Sequence, residues 1–202
     1  MPQIYVATSN PGKLRDFSAA AAHGVVVLPV PDLEEISAVA ENADSFEGNA
    51  RAKAEHYSRY CCGHLVVSDD SGLEVDALNG APGIRSARYA SGPRHQSTDA
   101  ENNARLLYEL RDIPEEKRSA RFVCVLAVAQ NGATLETFSG EARGRILFEP
   151  RGSGGFGYDP LFYCPEADKT FAELPAEEKV RVSHRGQAFR QFLAWLRAQK
   201  QQ

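Results

Sequence analysis

The sequence predicts an α/β protein built around a mixed β-sheet. Two observations carry that expectation. Strand-like and helix-like segments interleave through the first half of the chain, whereas hairpin signals dominate later. The 202 residues are 43% hydrophobic and 25% charged, a balance that fits a soluble globular chain long enough to bury a core.

Taken in order, Ile4–Ala7 is an apolar, β-rich run leading into a polar loop. A helix follows from Pro11 to about Ala22, with Asn10 as N-cap and Pro11 suited to the first helical position. Val25–Leu28 reads as a short buried strand. Asp44-Ser45-Phe46-Glu47 has capping-box spacing and opens a helix running to about Tyr60, with Gly63 beyond its end. Leu65–Val67 is a strand that ends in Ser68-Asp69-Asp70-Ser71-Gly72. Thr98 with Glu101 opens another helix, which must stop before Pro114.

Arg121–Ala129 and Thr134–Phe138 flank Asn131-Gly132, a strong hairpin signature. A glycine-rich loop and a strand-like Leu161–Tyr163 come next. The final helix, from about Arg185 to Arg197, gathers Phe189, Phe192, Leu193 and Leu196 on one side. No repeat, low-complexity tract or linker divides the chain, so one domain or two closely packed lobes are expected.

Several function classes fall away. No apolar run approaches the roughly 18–20 residues of a membrane span. Met1 to Val6 lacks the basic and apolar regions of a secretion signal, so the cytoplasm is the expected compartment. A net charge of −4, without a basic block, argues against nucleic acid as a partner. Cys61, Cys62, Cys124 and Cys164 form no C-x-x-C pair and read as reduced, partly buried thiols. His23, His56, His64 and His95 show no ligand spacing.

Four segments could carry chemistry. In Thr8-Ser9-Asn10-Pro11-Gly12-Lys13 a strand delivers a polar loop to a helix start, where backbone N–H groups and the helix dipole attract anions. Lys13 adds a point charge. The spacing is not that of a Walker A loop, and a merely well-capped helix is the competing reading. In Asp69-Asp70-Ser71-Gly72 the adjacent carboxylates point to opposite sides of an extended chain. One can reach a ligand or a Mg²⁺ ion while its neighbour shapes a turn.

Gly152-Ser153-Gly154-Gly155-Phe156-Gly157-Tyr158-Asp159-Pro160 contains a formal G-x-G-x-x-G, but no helix follows it as a dinucleotide fold requires. It offers an aromatic for stacking, Phe156, and a carboxylate, Asp159, or it is simply a glycine-rich hairpin loop. Finally, Ser183 can cap a helix whose first turn holds His184 and Arg185. With Lys179 these suit an oxygen-rich ligand better than a serine nucleophile.

Together and in this order, these segments resemble the inosine-triphosphate pyrophosphatase family, the Ham1-like enzymes. The resemblance also rests on Asn49-Ala50 with Lys53-Ala54, Gly80-Ala81-Pro82-Gly83-Ile84 and Ser86-Ala87-Arg88-Tyr89. It implies an elongated two-lobed fold with a deep substrate cleft, a homodimer, and Mg²⁺-dependent cleavage of ITP, dITP and XTP to monophosphate and pyrophosphate. Thr8, Ser9, Asn10, Pro11, Gly12, Lys13 and Lys53 would bind the triphosphate, and Asn49 shares a helix face with Lys53. Asp70 would be proton acceptor and metal ligand, Glu41 a second metal ligand, and Ser71 a substrate contact. Phe156, Gly157, Tyr158, Asp159, Lys179, His184 and Arg185 would surround the base. The chain departs from the family pattern at Gly48, where relatives usually carry an acid, with Glu47 one step earlier, and at Ala40.

In the expected mechanism, water polarised by Asp70 attacks the α-phosphorus while Lys13, Lys53 and the loop amides hold the departing pyrophosphate. Hypoxanthine presents an N1–H donor beside an O6 acceptor and adenine the reverse, so Asp159 with Lys179, His184 or Arg185 could separate them. Three rivals differ in product or substrate. One hydrolyses methylated pyrimidine triphosphates, one is an aspartyl phosphatase releasing orthophosphate, and one is a non-catalytic nucleotide sensor with no need of Asp70.

Overall fold

The structure, a computed structural model, describes residues 2–21, 24–91 and 97–199. Ala22, where the first helix was expected to end, and His23 and His95 lie outside the described residues. Among the described residues, seven strands form one sheet: β1 (Gln3–Val6), β2 (Val26–Pro29), β3 (Leu65–Val75), β4 (Ser119–Gln130), β5 (Ala133–Ile146), β6 (Phe162–Cys164) and β7 (Lys169–Thr170). Their order is β2-β1-β3-β4-β5-β6-β7. β1 runs parallel to both β2 and β3, while β6 is antiparallel to β5 and β7, so the sheet is mixed as expected.

Among the described residues, five α-helices accompany it: α1 (Pro11–Ala20), α2 (Phe46–Ser58), α3 (Asp99–Glu109), α4 (Ala176–Val182) and α5 (His184–Gln199). No described helix is long and apolar enough to cross a membrane.

Local chemistry accounts for most boundaries. Asn10 caps α1, and Thr98 and Glu101 form a reciprocal capping box on α3. Asn131 and Gly132 both take positive φ, the backbone that a two-residue hairpin turn between β4 and β5 demands.

Other boundaries differ from the sequence reading. Ser45 caps α2 by accepting from the Gly48 N–H, and Glu47 pairs with Arg51 instead of closing a box. β2 is half-exposed at the sheet edge, with Val26 facing solvent, because it has a neighbour on one side alone. β3 does not stop at Ser68; it continues through Asp69-Asp70-Ser71-Gly72 to Val75. The apolar Leu73 and Val75 beyond the motif, both fully buried, keep the chain extended where Asp, Ser and Gly alone favour a turn. The seven-residue α4 was not foreseen, although Pro175 and the acids Glu177 and Glu178 mark its start.

The chain divides into two compact units. The first comprises Met1–Asp70, Cys124–Gly140 and His184–Gln202, and the second Ser71–Val123 and Glu141–Ser183. The first has a core of Ile4, Val6, Phe17 and Val67 with Leu126 and Val128, covered by Phe189, Phe192, Leu193 and Leu196 of α5. These four helix residues recur at spacings of three and four, which places them on one stripe. The second unit has its own core, in which Phe122, Phe162 and Phe171 pack ring against ring beside Leu73, Leu106 and Leu161.

Candidate functional site

In the first unit, Thr8 to Lys13 link β1 to α1. The amides of Gly12 and Lys13, expected to be open to an anion, both donate to Asn10 Oδ1 at 2.8 and 3.1 Å. The Asn10 amide in turn donates to Thr8 Oγ1 at 3.1 Å. The cap therefore satisfies those backbone donors internally. What the loop presents is side chains, above all the partly exposed Lys13 ammonium.

That ammonium lies 3.1 Å from Asp69 Oδ2. The same oxygen receives Arg185 Nη2 at 3.3 Å, and Arg185 Nη1 reaches Asp16 Oδ2 at 2.8 Å. Asp69, Asp16 and Arg185 are all buried, so α1, β3 and α5 are joined by a charged cluster in low dielectric. Burial alone would raise the Asp69 pKa, but Lys13, Arg185 and Lys53 hold it well below the ordinary carboxylate range. Burial by itself would lower the Arg185 pKa; Asp69 and Asp16 overcome this and raise it.

Asp70, the next residue, belongs to a different set. As the pleat of an extended strand requires, its carboxylate faces away from that of Asp69. Asn49 Nδ2 donates to its Oδ2 at 3.0 Å, and Lys53 Nζ lies 3.4 Å from its Oδ1. Asn49 Oδ1 accepts the Ala43 N–H at 3.1 Å, which fixes the orientation of the amide. Lys53 Nζ also meets Glu41 Oε1 at 2.7 Å. The one-turn spacing of Asn49 and Lys53 on α2 thus delivers both to a single carboxylate. Burial pushes the Asp70 pKa above the ordinary carboxylate value, with Glu41 adding and Lys53, Lys13 and Asn49 opposing. Burial pulls the Lys53 pKa down, but Asp70, Glu41 and Asp69 leave it raised overall.

Asp70 and Glu41 converge on one ammonium, so their oxygens lie within reach of a common cation. Among the described residues, no group of three or more His, Cys, Asp or Glu side chains is placed to hold a metal ion. An ion at Asp70 and Glu41 would need further ligands from elsewhere.

In the second unit, Ser71 continues β3 and is half-buried. The glycine-rich segment folds back on itself. Asp159 Oδ2 accepts the Phe156 N–H at 2.9 Å and receives Lys179 Nζ at 2.6 Å. Both partners of that ion pair are buried, and the Lys179 ammonium sits 4.8 Å from the centre of the half-buried Phe156 ring. The Asp159 oxygen nearest the loop therefore holds the loop's own backbone. Gly155, at φ +71°, is required here, because a Cβ on it would land on the Asp159 carboxylate. Tyr158 donates to the Ser86 carbonyl at 2.8 Å, and burial raises its phenol pKa.

Phe156, Gly157, Tyr158, Asp159 and Lys179 thus form one cluster. Within the first unit, Arg185 groups with Asp16 and Asp69, its guanidinium turned to two carboxylates. His184 is buried at the start of α5.

Sequence reasoning missed Asp16, and it expected one of the two adjacent carboxylates to shape a turn, whereas both lie within β3. For Asp16 a signal was available: an acid beside Phe17 and three residues after Lys13, on the helix side that turns inward.

Known proteins resemble this chain along almost its whole length. The model of the Ham1 family matches residues 4–195. A dITP/XTP pyrophosphatase of Acidobacterium capsulatum is 51% identical over 199 residues, covering 96% of this chain and 97% of that protein. Among solved structures, a HAM1 protein from Coxiella burnetii superposes with a TM-score of 0.82 at 38% identity, covering 98% of this chain and all of that one. The Ham1 protein of Staphylococcus aureus gives 0.81 at 38% identity, covering 98% of this chain and 99% of its own.

Proposed function

The chain belongs to the Ham1 family, and from that membership we propose that it hydrolyses non-standard purine nucleoside triphosphates, ITP, dITP and XTP, to the monophosphate and pyrophosphate. The relatives named dITP/XTP pyrophosphatase support the substrate class. The observation that carries the chemistry is the environment of Asp70. It is a buried carboxylate with a raised pKa, oriented by Asn49 and set against the Lys53 ammonium. A base of that kind is stronger than an exposed aspartate, which suits it to take a proton from an attacking water.

Lys13 and Lys53 are assigned to the phosphates together with Thr8, Ser9, Asn10, Pro11 and Gly12, and the family resemblance assigns Asn49 and Ser71 to the substrate as well. As pyrophosphate departs, the two ammonium groups stabilise its growing charge, and a pre-fixed cation does this without reorganising at the moment of reaction. Asp69 keeps the Lys13 ammonium in place and Arg185 keeps Asp69 in place.

Asp70 and Glu41 are the residues that would hold Mg²⁺. Two carboxylates completed by substrate phosphates are the kind of donor set this ion takes, and their shared contact with Lys53 puts them within reach of one cation. When bound, the ion neutralises phosphate charge. Phe156 is assigned to stacking on the base, with Gly157, Tyr158, Asp159 and Lys179 forming its support; the family resemblance assigns His184 and Arg185 to the base as well. In line with the family resemblance, the working unit is taken as a cytoplasmic homodimer.

Product analysis tests the reading. Incubation with ITP and Mg²⁺ should yield IMP and pyrophosphate in equal amounts. Release of IDP and orthophosphate, or no turnover of ITP, would refute it.

A further inference from the structure

We propose that Asp99 and Asn103 on α3 are positioning residues for purine selection, acting by gripping the Gly157 backbone in the middle of the Phe156–Asp159 loop. The inference rests on the reading of that loop as the base-binding segment. Asp99 Oδ2 accepts the Gly157 N–H at 2.6 Å, and Asn103 Nδ2 donates to the Gly157 carbonyl at 2.9 Å. Four residues apart on a helix, the two side chains share one face, so a single helix holds both polar groups of one glycine.

Gly157 needs an external hold. It sits at φ +61° with open space where a Cβ would be, so nothing of its own side fixes its conformation. Its neighbours are held separately: the Phe156 amide by Asp159, the Tyr158 hydroxyl by the Ser86 carbonyl, and Asp159 by Lys179. The α3 pair supplies the remaining restraint between the aromatic ring and the buried ion pair. The capping box of Thr98 and Glu101 places Asp99 at the first helical residue and so fixes where the grip begins.

Neither residue belongs to the phosphate-side cluster, so loosening the grip should alter how tightly and selectively a base is seated while leaving phosphoryl chemistry intact. Two near-isosteric exchanges separate this from a merely structural role. Asn103→Asp keeps the shape but cannot donate, and it sets a carboxylate against the Gly157 carbonyl oxygen. Asp99→Asn keeps an acceptor for the Gly157 N–H, whereas Asp99→Ala removes it.

Steady-state kinetics of the full chain with ITP and ATP, beside thermal melts, provides the test. For Asn103→Asp and Asp99→Ala, KM for ITP should rise about three- to tenfold, the worth of one hydrogen bond. Turnover should stay within about twofold, and the preference for ITP over ATP should fall by a similar factor. Asp99→Asn should stay near the parent in all three. An unchanged ITP-to-ATP preference in both Asn103→Asp and Asp99→Ala overturns the proposal, as does a loss of turnover that merely follows a lowered melting temperature. A parent protein that makes no IMP and pyrophosphate from ITP instead overturns the functional reading beneath it.

Discussion

Asp69 and Asp70 are consecutive residues with opposite electrostatic settings. Cations hold Asp69 ionised, and burial keeps Asp70 easier to protonate than an ordinary carboxylate. The alternation of side chains along a strand was enough to predict that they diverge. Their roles are separable by mutation. Asp70→Asn keeps the volume and should leave the fold intact while lowering kcat by about 10²-fold or more, read by steady-state ITP hydrolysis.

Asp69→Asn should instead cost stability, by about 3 kcal/mol near pH 7 in chemical denaturation, because Arg185 and Lys13 lose their shared partner in a buried setting. The sign with pH follows from the depressed pKa. A carboxylate held below its unfolded value of about 3.9 contributes stability that is fully present above that pH and is lost as pH falls toward the folded value. Below about pH 4 the parent should therefore lose stability more steeply than Asp69→Asn. Parallel curves for the two proteins would show that Asp69 is not the group responsible.

Among the elements, the strand and the loop that carry the site are shaped by what lies beyond their own residues. β3 runs straight through a sequence rich in turn formers because Leu73 and Val75 are buried further along it. The glycine-rich loop turns where it does because Gly155 abuts the carboxylate that holds the Phe156 amide. Gly155→Ala should thus displace Asp159 and strain the backbone, the latter alone by about 1–2 kcal/mol. A raised KM for ITP with a lowered melting temperature is the expected result, and wild-type KM would mean that the loop accommodates a Cβ. Similarly, Gly140 lies where a Cβ would strike the His184 carbonyl, so Gly140→Ala should push β5 from the start of α5 and lower stability in denaturant titration.

Elements with their own start and stop signals were legible in the sequence: the Asn10 and Thr98 caps, the Asn131-Gly132 turn, and the apolar stripe of α5. Those defined by a distant partner were not. The exposed edge of β2 and the passage of β3 through its turn-forming residues depend on neighbours that no local window contains.

For the molecule as a whole, the same division explains the site. Motif residues within one helix, such as Asn49 and Lys53, could be assigned to one face from spacing. The pairing of Arg185 with Asp16 and Asp69 spans 169 and 116 residues of chain, and although Asp16 lies on an inward-turned helix side, no local pattern names its partner. The Asp70 and Glu41 carboxylates are both paired with the Lys53 ammonium, so their charge is balanced by the chain's own residues and folding should not need an added ion. Chelation with EDTA should abolish ITP hydrolysis while shifting the melting temperature by less than about 2 °C, since a ligand stabilises only in proportion to its binding. A large drop on chelation would assign the metal a structural role.

The first unit takes its pieces from three stretches of chain, and α5 lies in the final stretch. On a translating ribosome every residue of the second unit is therefore synthesised before the first can close. Until position 185 leaves the exit tunnel, the nascent polypeptide lacks the guanidinium that anchors Asp69, and Phe17 has no Phe189 to rest on. Truncation before His184 would leave Ile4, Val6, Phe17 and Val67 without the α5 residues that pack on them, so such a chain should be protease-sensitive and should not hydrolyse ITP.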